Sequence, residues 1–271
     1  MATSRAGARP ADRPPSSNLR AFVLHAYDWS ESSLVVELFT RAQGRVVVVA
    51  KGAKKPTSNF RAVLLPFAPL TVSLGRTPAD AASEIHTLRS AEWAGGAALL
   101  RGDGLLAAFY CNELLLKLLA RHDPHPLLFD AYGDTLAALA ADGAGAGSPQ
   151  AVVLRAFELL LLRALGWLPD LASATLTGAA LDAGGRYTLR AEAGLVEHAQ
   201  GVPGAAWTAL EAALGAAPAH GPHALRAACA PVAAALRLPL RELLDEQLGN
   251  ARLRTRHVWQ GVQRLARGTA G

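Results

Sequence analysis

The sequence predicts an α+β chain in two parts: a small amino-terminal β-barrel and a larger domain dominated by helices behind it. Residues 19–93 hold five short runs of β-branched and apolar residues, each closed by turn residues such as Gly, Pro, Asp or Ser. Beyond Trp93 the apolar runs lengthen, become rich in Leu and Ala, and end on helix stop signals. About half of the 271 residues are hydrophobic, enough to bury a core in one large domain or two ordinary ones.

The barrel strands follow in order. "LRAFVLHAYDW" is the first, "SLVVELFT" the second and "RVVVVAKG" the third. Between the last two, "RAQGR" places Gly44 where a positive φ is needed, and the short spacing predicts a hairpin. "APLTVSLGRT" and "ASEIHTLRSAEW" supply two more strands. "SNFRAVLLPF" predicts a short helical turn with Ser58 as its cap. Five short strands in about seventy residues suit a small barrel or sandwich.

In the second part, "GGAALLRGDGLLAAFYCNELLLKLLARH" is too long and too rich in Leu and Ala for a strand, and it stops at His122-Asp123-Pro124. "PHPLLFDAYGDTLAALAAD" is a second helix with Pro126 near its first turn. "GAGAGS" forms a joint, Ser148 then caps a helix with Pro149 at its first position, and Gly166 ends that helix. These helices are apolar nearly all round, which places them centrally. "GGRYTLRAEAGLVEH" predicts a hairpin within a small irregular β insertion near 172–198, and two or three helices finish the chain. The predicted layout is a disordered tail over 1–18, a barrel domain over 19–93 and a helical domain over 94–267, without internal repeats.

Several classes are argued against. "MATSRAGARPADRPPSS" has no apolar segment and so does not read as a secretory signal. "AVVLRAFELLLLRALGW" carries Arg155, Glu158 and Arg163 in one would-be span, which a bilayer would resist, so it reads as a core helix and no membrane partner is expected. Cys111 and Cys229 lie far apart with no C-x-x-C, which argues against a disulfide scaffold or a cysteine zinc site and suits buried thiols in a reducing cytoplasm. The nucleotide, zinc-protease and serine-hydrolase motifs are absent, and the acidic residues are scattered singly with no acid–base pair. The chain therefore reads as a binder, not an enzyme, and no cofactor is expected. "HDPH" at 122–125 reads either as a metal site or, in the absence of a distant ligand set, as a polar loop that ends a helix.

The net charge of +5 and an isoelectric point near 9.6 point to an anionic partner: nucleic acid, anionic lipid or an acidic peptide. From residue 41 to 76 stand Arg41, Arg45, Lys51, Lys54, Lys55, Arg61 and Arg76, seven bases with no Asp or Glu among them. A merely solvated face usually mixes signs. A five-stranded barrel of this size matches the oligonucleotide-binding (OB) architecture, which binds on strands two and three and the loops beside them. The hairpin that forms those strands carries Glu37, Arg41 and Arg45. These residues, together with Arg20, are the candidate phosphate contacts, with Phe60, Tyr27 and Trp29 as candidate stacking surfaces. Phe60 reads equally as a core plug beneath the loop. Gly52 and Pro56 hold the lysine turn open and stiff. The same electrostatics suit an OB-fold RNA-binding accessory protein.

The blocks "AFVLH", "SESSLVVELFT", "GRVVVVAKGAKKP" and "LLPFAPL", in this order and spacing, strongly resemble the amino-terminal domain of the bacterial RecO family. "YCNELLLKLL", "LFDAYGDTL", "LRAFELLLLRALGW" and "RYTLRAEAGLV" extend the resemblance over roughly residues 20–200; the last seventy or so match only loosely. The resemblance implies an OB-fold domain followed by a helical domain. It implies a cytoplasmic, nucleoid-associated DNA repair and recombination mediator that binds single- and double-stranded DNA, anneals complementary strands and helps load RecA onto DNA coated by single-stranded-DNA-binding protein. The implied partners are RecR, in some bacteria RecF, and the acidic, hydrophobic carboxy-terminal tail of the single-stranded-DNA-binding protein. Some members carry a four-cysteine zinc site near the segment matching "LASATLTGAALDAGGRYTL"; that segment has no cysteine here, so no zinc is expected and the loop at Gly184 and Gly185 must be held by packing or hydrogen bonds.

For the acidic tail, a groove on the first two long helices is predicted, lined by Leu114, Leu118, Phe129 and Tyr132 and edged by Lys117, Arg121 and Arg155; simple core packing is the alternative for the apolar members. Arg252, Arg254, Arg256, Arg264 and Arg267 form either a second patch for another strand or a helix end satisfied by its own arginines.

Overall fold

The computed structural model describes residues 18–75, 85–96, 99–141, 149–249, 251–259 and 261. The predicted Ser148 cap, the "GAGAGS" joint, Arg76, Arg264, Arg267 and all but the last residue of the predicted tail lie outside the described residues.

Five strands, β1 (Leu19–Asp28), β2 (Leu34–Thr40), β3 (Gly44–Ala50), β4 (Leu70–Leu74) and β5 (Ile85–Trp93), close into a barrel in the order β1-β2-β3-β5-β4. All pairs are antiparallel except β3 with β5. A short helix, α1 (Asn59–Val63), lies between β3 and β4. This is the OB arrangement. Ser58 stands at the N-cap of α1 in extended backbone but makes no side-chain cap bond. The packing of Phe60 and Val63 on the barrel core holds α1 instead.

The period-two pattern explains the interior. Val23, Val36, Leu38, Val46, Val48, Leu70 and Val72 fill the barrel. The alternate residues Phe22, Leu24 and Phe39 belong to the core of the helical part. β1 and β2 are thus buried on both faces, which is why their sequences run apolar without a clean alternation.

The helical part comprises α2 (Gly102–Leu118), α3 (Pro126–Ala141), α4 (Pro149–Ala164), α5 (Gly204–His220), α6 (His223–Cys229), α7 (Ala233–Leu248) and α8, whose described residues are 254–259 and 261. α4 is its centre: Phe157, Leu159, Leu161 and Leu162 are fully buried, and the helix packs on α2, α3, α6 and α7. The insertion between α4 and α5 holds a small sheet of β6 (Arg186–Arg190), β7 (Gly194–Glu197) and β8 (Val202–Pro203), in the order β7-β6-β8. Its Gly184–Gly185 loop is held by hydrogen bonds. Gly184 N donates to Asp182 Oδ1 at 3.2 Å, Gly185 N to the Asp182 carbonyl at 3.1 Å, and Asp182 N to the Tyr187 hydroxyl at 3.1 Å.

Barrel and helices share an interface of rings and ion pairs. Phe22 and Phe39 stack against Phe129 and Tyr132, with centroids 5.0–6.3 Å apart. Asn112 Nδ2 donates to the Leu24 carbonyl at 3.0 Å while its Oδ1 accepts from Tyr132. The "HDPH" loop is part of this seam: His122 N donates to the Arg45 carbonyl at 2.9 Å, and His125 Nε2 lies 3.1 Å from Asp123 Oδ2. Among the described residues no group of His, Cys, Asp or Glu is placed to hold a metal ion.

Candidate nucleic-acid interface and an arginine-lined cavity

The cationic stretch of the sequence is divided by the fold between two ends of the barrel. At one end Lys51, Lys55 and Arg61 are exposed. Gly52 takes φ 71°, a conformation that favours glycine, and lets the chain leave β3 in a tight turn while Ala53 plugs the barrel. This turn is tied to the β1–β2 loop: Lys54 N donates to the Ser32 carbonyl at 2.9 Å, and Gly52 N to Ser33 Oγ at 3.4 Å. Lys54 Nζ reaches Asp28 at 3.2 Å, a pair whose carboxylate is 81% exposed. Exposed Tyr27 and Trp29 flank that aspartate, and His25 lies edge-on against Tyr27 with centroids 4.4 Å apart. Exposed cations and flat aromatic rings thus share one end of the barrel.

Arg89 joins this end and was not found from the sequence. β3 and β5 run parallel, with Thr87 beside Val49, so two residues further on Arg89 is level with Lys51. A register shift, with Leu74 opposite Leu88 and Ser73 opposite Ser90, leaves Arg89 on a bulge and exposed. A parallel partner some forty residues away leaves no local sequence signal. Phe60 is half-buried against the barrel core, which supports the plug reading.

The remaining predicted contacts lie elsewhere. Arg20 opens β1, about 25 Å along the strand from Asp28 by the rise per residue. It lies over the Phe129 ring at 5.7 Å and lines a cleft of about 280 Å³ between barrel and α3. Arg41 makes a forked pair with Asp130 of α3 at 2.8–3.1 Å. Arg45 donates to Glu37 at 3.1 Å and to the Leu119 carbonyl at 3.1 Å, and Glu37 also accepts from Arg121 at 3.2 Å. Arg41 and Arg45, expected to serve with the lysines, thus stand at the other end of the barrel in ion pairs. Carboxylates from β2 and α3, outside the stretch counted, neutralise them and dock the two domains.

The predicted groove on α2 and α3 is corrected as well. Leu114, Leu118, Phe129 and Tyr132 are all buried in the core, and Arg121 belongs to the Glu37 pair. Lys117 donates to the Arg252 carbonyl at 3.1 Å. Of that set Phe129 lines the small cleft beside Arg20, and Arg155 borders a cavity of about 430 Å³ between α2, α4, α7 and α8. Leu154, Arg155, Glu158, Arg237, Arg241, Arg256 and Trp259 are among its lining. Arg155 Nη2 and the Tyr110 hydroxyl both donate to Glu158 Oε1, at 2.7 and 2.8 Å, while Oε2 of this buried carboxyl has no hydrogen-bond partner among the described residues. Burial holds Glu158 above the usual carboxylate range against the opposing pull of Arg155, Tyr110 and Arg256. Burial and then the Glu158 charge raise Tyr110 well above the usual phenol range. Cys111 and Cys229 are buried free thiols, and desolvation pushes Cys229 up to about 12. Of the arginine-rich end, Arg256 is held by Asp245 and Tyr110, while Arg252 and Arg254 are exposed.

A closed OB barrel with a cationic, ring-bearing loop end, seated on a helical bundle, places the chain in the class of OB-fold proteins suited to a polyanion. The family model for the recombination protein O N terminal domain matches residues 16–96, and that for its C terminal domain matches 100–257. The chain is 52% identical over 264 residues to the DNA repair protein RecO of Verminephrobacter eiseniae, covering 96% of this chain and 99% of that protein. It is 50% identical over 271 residues to the RecO of Acidovorax ebreus, covering 96% and 100%. It is 46% identical over 273 residues to that of a Polaromonas species, covering 98% and 100%. The chain belongs to the RecO family of DNA repair proteins. No helix among the described residues is long and apolar enough to cross a membrane.

Proposed function

We propose that this protein is a recombination mediator that grips single- and double-stranded DNA at the lysine end of its barrel, anneals complementary strands and helps load RecA onto DNA coated by single-stranded-DNA-binding protein. The observation that carries this reading is the lysine turn hydrogen-bonded to the loop bearing Trp29, which sets charge and rings side by side. Annealing opposes two like-charged backbones, and a cationic surface screens that repulsion while leaving one strand's bases free to pair. No bond is made or broken.

The acidic, apolar-ended tail of the single-stranded-DNA-binding protein seats in the arginine-lined cavity, where Arg237 and Arg241 meet its carboxylates and Leu154 and Trp259 meet its apolar end. RecR and, in some bacteria, RecF act with it. The test is annealing of complementary oligonucleotides precoated with the cognate single-stranded-DNA-binding protein. The wild-type chain is expected to accelerate it, and a chain with Lys51, Lys54 and Lys55 changed to Ala to lose most of that gain. Equal rates with and without the wild-type protein would refute the reading.

A further inference from the structure

We propose that α8 is a separately seated wall of the arginine-lined cavity, and that Glu113 is the positioning residue that seats it; this rests on reading the cavity as the seat of an acidic carboxy-terminal peptide. Three walls come from the long helices α2, α4 and α7, and the fourth consists of Arg256 and Trp259 on α8. Leu253, the residue before α8, has no side-chain acceptor to cap it, so a group from elsewhere in the fold must hold its first-turn amides. It follows α7 through Gly249, whose φ of 55° turns the chain back toward α2.

Asp245 of α7 pairs with Arg256, and the contacts at the start of α8 converge on one carboxylate. Glu113 Oε1 accepts from Arg254 N at 2.8 Å, and Oε2 accepts from Thr255 N at 2.9 Å and from Thr255 Oγ1 at 2.7 Å. These amides are first-turn donors that α8 cannot satisfy internally, so a charged acceptor from α2 replaces the missing cap. Lys117, one turn along α2, lies 3.8 Å from Glu113 and binds the Arg252 carbonyl. Leu253 is buried beneath.

Seating α8 has a consequence inside the cavity. Arg256 lies over the Tyr110 ring at 5.7 Å, and its Nη2 donates to the Tyr110 hydroxyl at 3.4 Å. Tyr110 in turn holds Glu158 Oε1, the oxygen shared with Arg155. Releasing α8 removes one of the four guanidiniums lining the cavity and its Trp259 wall, and frees the Tyr110–Glu158 pair on which Arg155 is set.

The test uses the full chain and a fluorescein-labelled acidic peptide ending Asp-Asp-Leu-Phe with a free carboxylate. Glu113→Gln keeps the shape but weakens the acceptor. It is expected to bind the peptide about tenfold more weakly, with single-stranded DNA affinity unchanged. Thr255→Val, which removes only the hydroxyl contact, is expected to lose about threefold. Hydrogen exchange separates seating from general stability: the amides of Arg254 and Thr255 speed up in Glu113→Gln while those of α2 and α4 do not. Wild-type peptide affinity in Glu113→Gln, or unchanged exchange at those two amides, would overturn the proposal. If the wild-type chain fails to bind the peptide, or Arg237→Ala/Arg241→Ala binds it equally well, the reading of the cavity falls, and the exchange data alone then decide whether Glu113 seats α8.

Discussion

At one end of the barrel Lys51, Lys55 and Arg61 stand in solvent beside Tyr27 and Trp29; at the other, Arg41 and Arg45 are held by Asp130 and Glu37 against the helical domain. Both groups come from the same one-signed stretch. The lysines leave on a turn whose backbone is tied down by hydrogen bonds, with Lys51 and Lys55 exposed and Lys54 paired to the exposed Asp28. The arginines flank the β2–β3 hairpin turn, where Gly44 meets the loop after α2, and their forked donors match carboxylates across the seam. A cationic run therefore stays open to a ligand where the fold leaves it in solvent: Asp28, the carboxylate that reaches Lys54, is itself 81% exposed, while Glu37 is buried against its arginines.

The strongest way to break this comparison is at Gly44. Its φ is 67°, and a Cβ there would overlap the backbone of Asp123. Gly44→Ala is expected to cost at least about 3 kcal/mol, from left-handed strain and forced separation of hairpin and loop, read by urea denaturation. Next comes Arg45→Ala, which leaves Glu37, a carboxylate 7% exposed, with Arg121 alone. A loss of about 2–3 kcal/mol is expected, with DNA affinity per folded molecule unchanged.

The lysine end should respond in the opposite sense. Changing Lys51, Lys54 and Lys55 to Ala should leave the melting temperature near wild type and weaken single-stranded DNA binding about tenfold to a hundredfold. The slope of log affinity against log salt should flatten by about 2. An unchanged slope would mean that phosphates are held elsewhere. Smallest of all is Arg41→Ala, whose pair with Asp130 is about half exposed. Both the melting temperature and the DNA salt slope should stay close to wild type; a slope as flattened as that from one lysine would move Arg41 into the binding surface and dissolve the contrast.

Acid should loosen α8 before the barrel. Burial pushes Glu113 up, but the bonds from Thr255 and Arg254 outweigh it and hold the carboxyl below its usual range. With the folded value depressed, its contribution is complete above the ordinary glutamate range and is lost as pH falls through the folded value. Protection of the backbone amides at 254–259, taken relative to their intrinsic exchange rate at each pH, should therefore fall on acidification below the usual glutamate range, while that of the barrel strands holds.

Much of this was legible in the sequence where the information is local. Period-two valines, the Gly44 and Gly52 turns, the Pro126 and Gly166 helix ends and the two-sided apolar runs of β1 and β2 each report on near neighbours along the chain, and these made the barrel and the helices readable. Leu114, Phe129 and Tyr132 were equally visible as apolar, but a helix apolar all round does not say which side faces a groove, and all of them went to the core. Arg155 is the one predicted residue of the tail site that borders the cavity.

By itself, then, the sequence determined the order of elements, the barrel with its lysine turn, and a cationic character suited to DNA, because propensity, periodicity and turn chemistry act within a few residues. Only the tertiary structure decided which cations stay free. Asp130 reaches Arg41 across 89 residues, a parallel register brings Arg89 level with Lys51, and α8 closes a cavity under the hold of Glu113, a partner 141 residues earlier. Electrostatic neutralisation depends on distance in space, and chain separation says little about that distance until the core has packed.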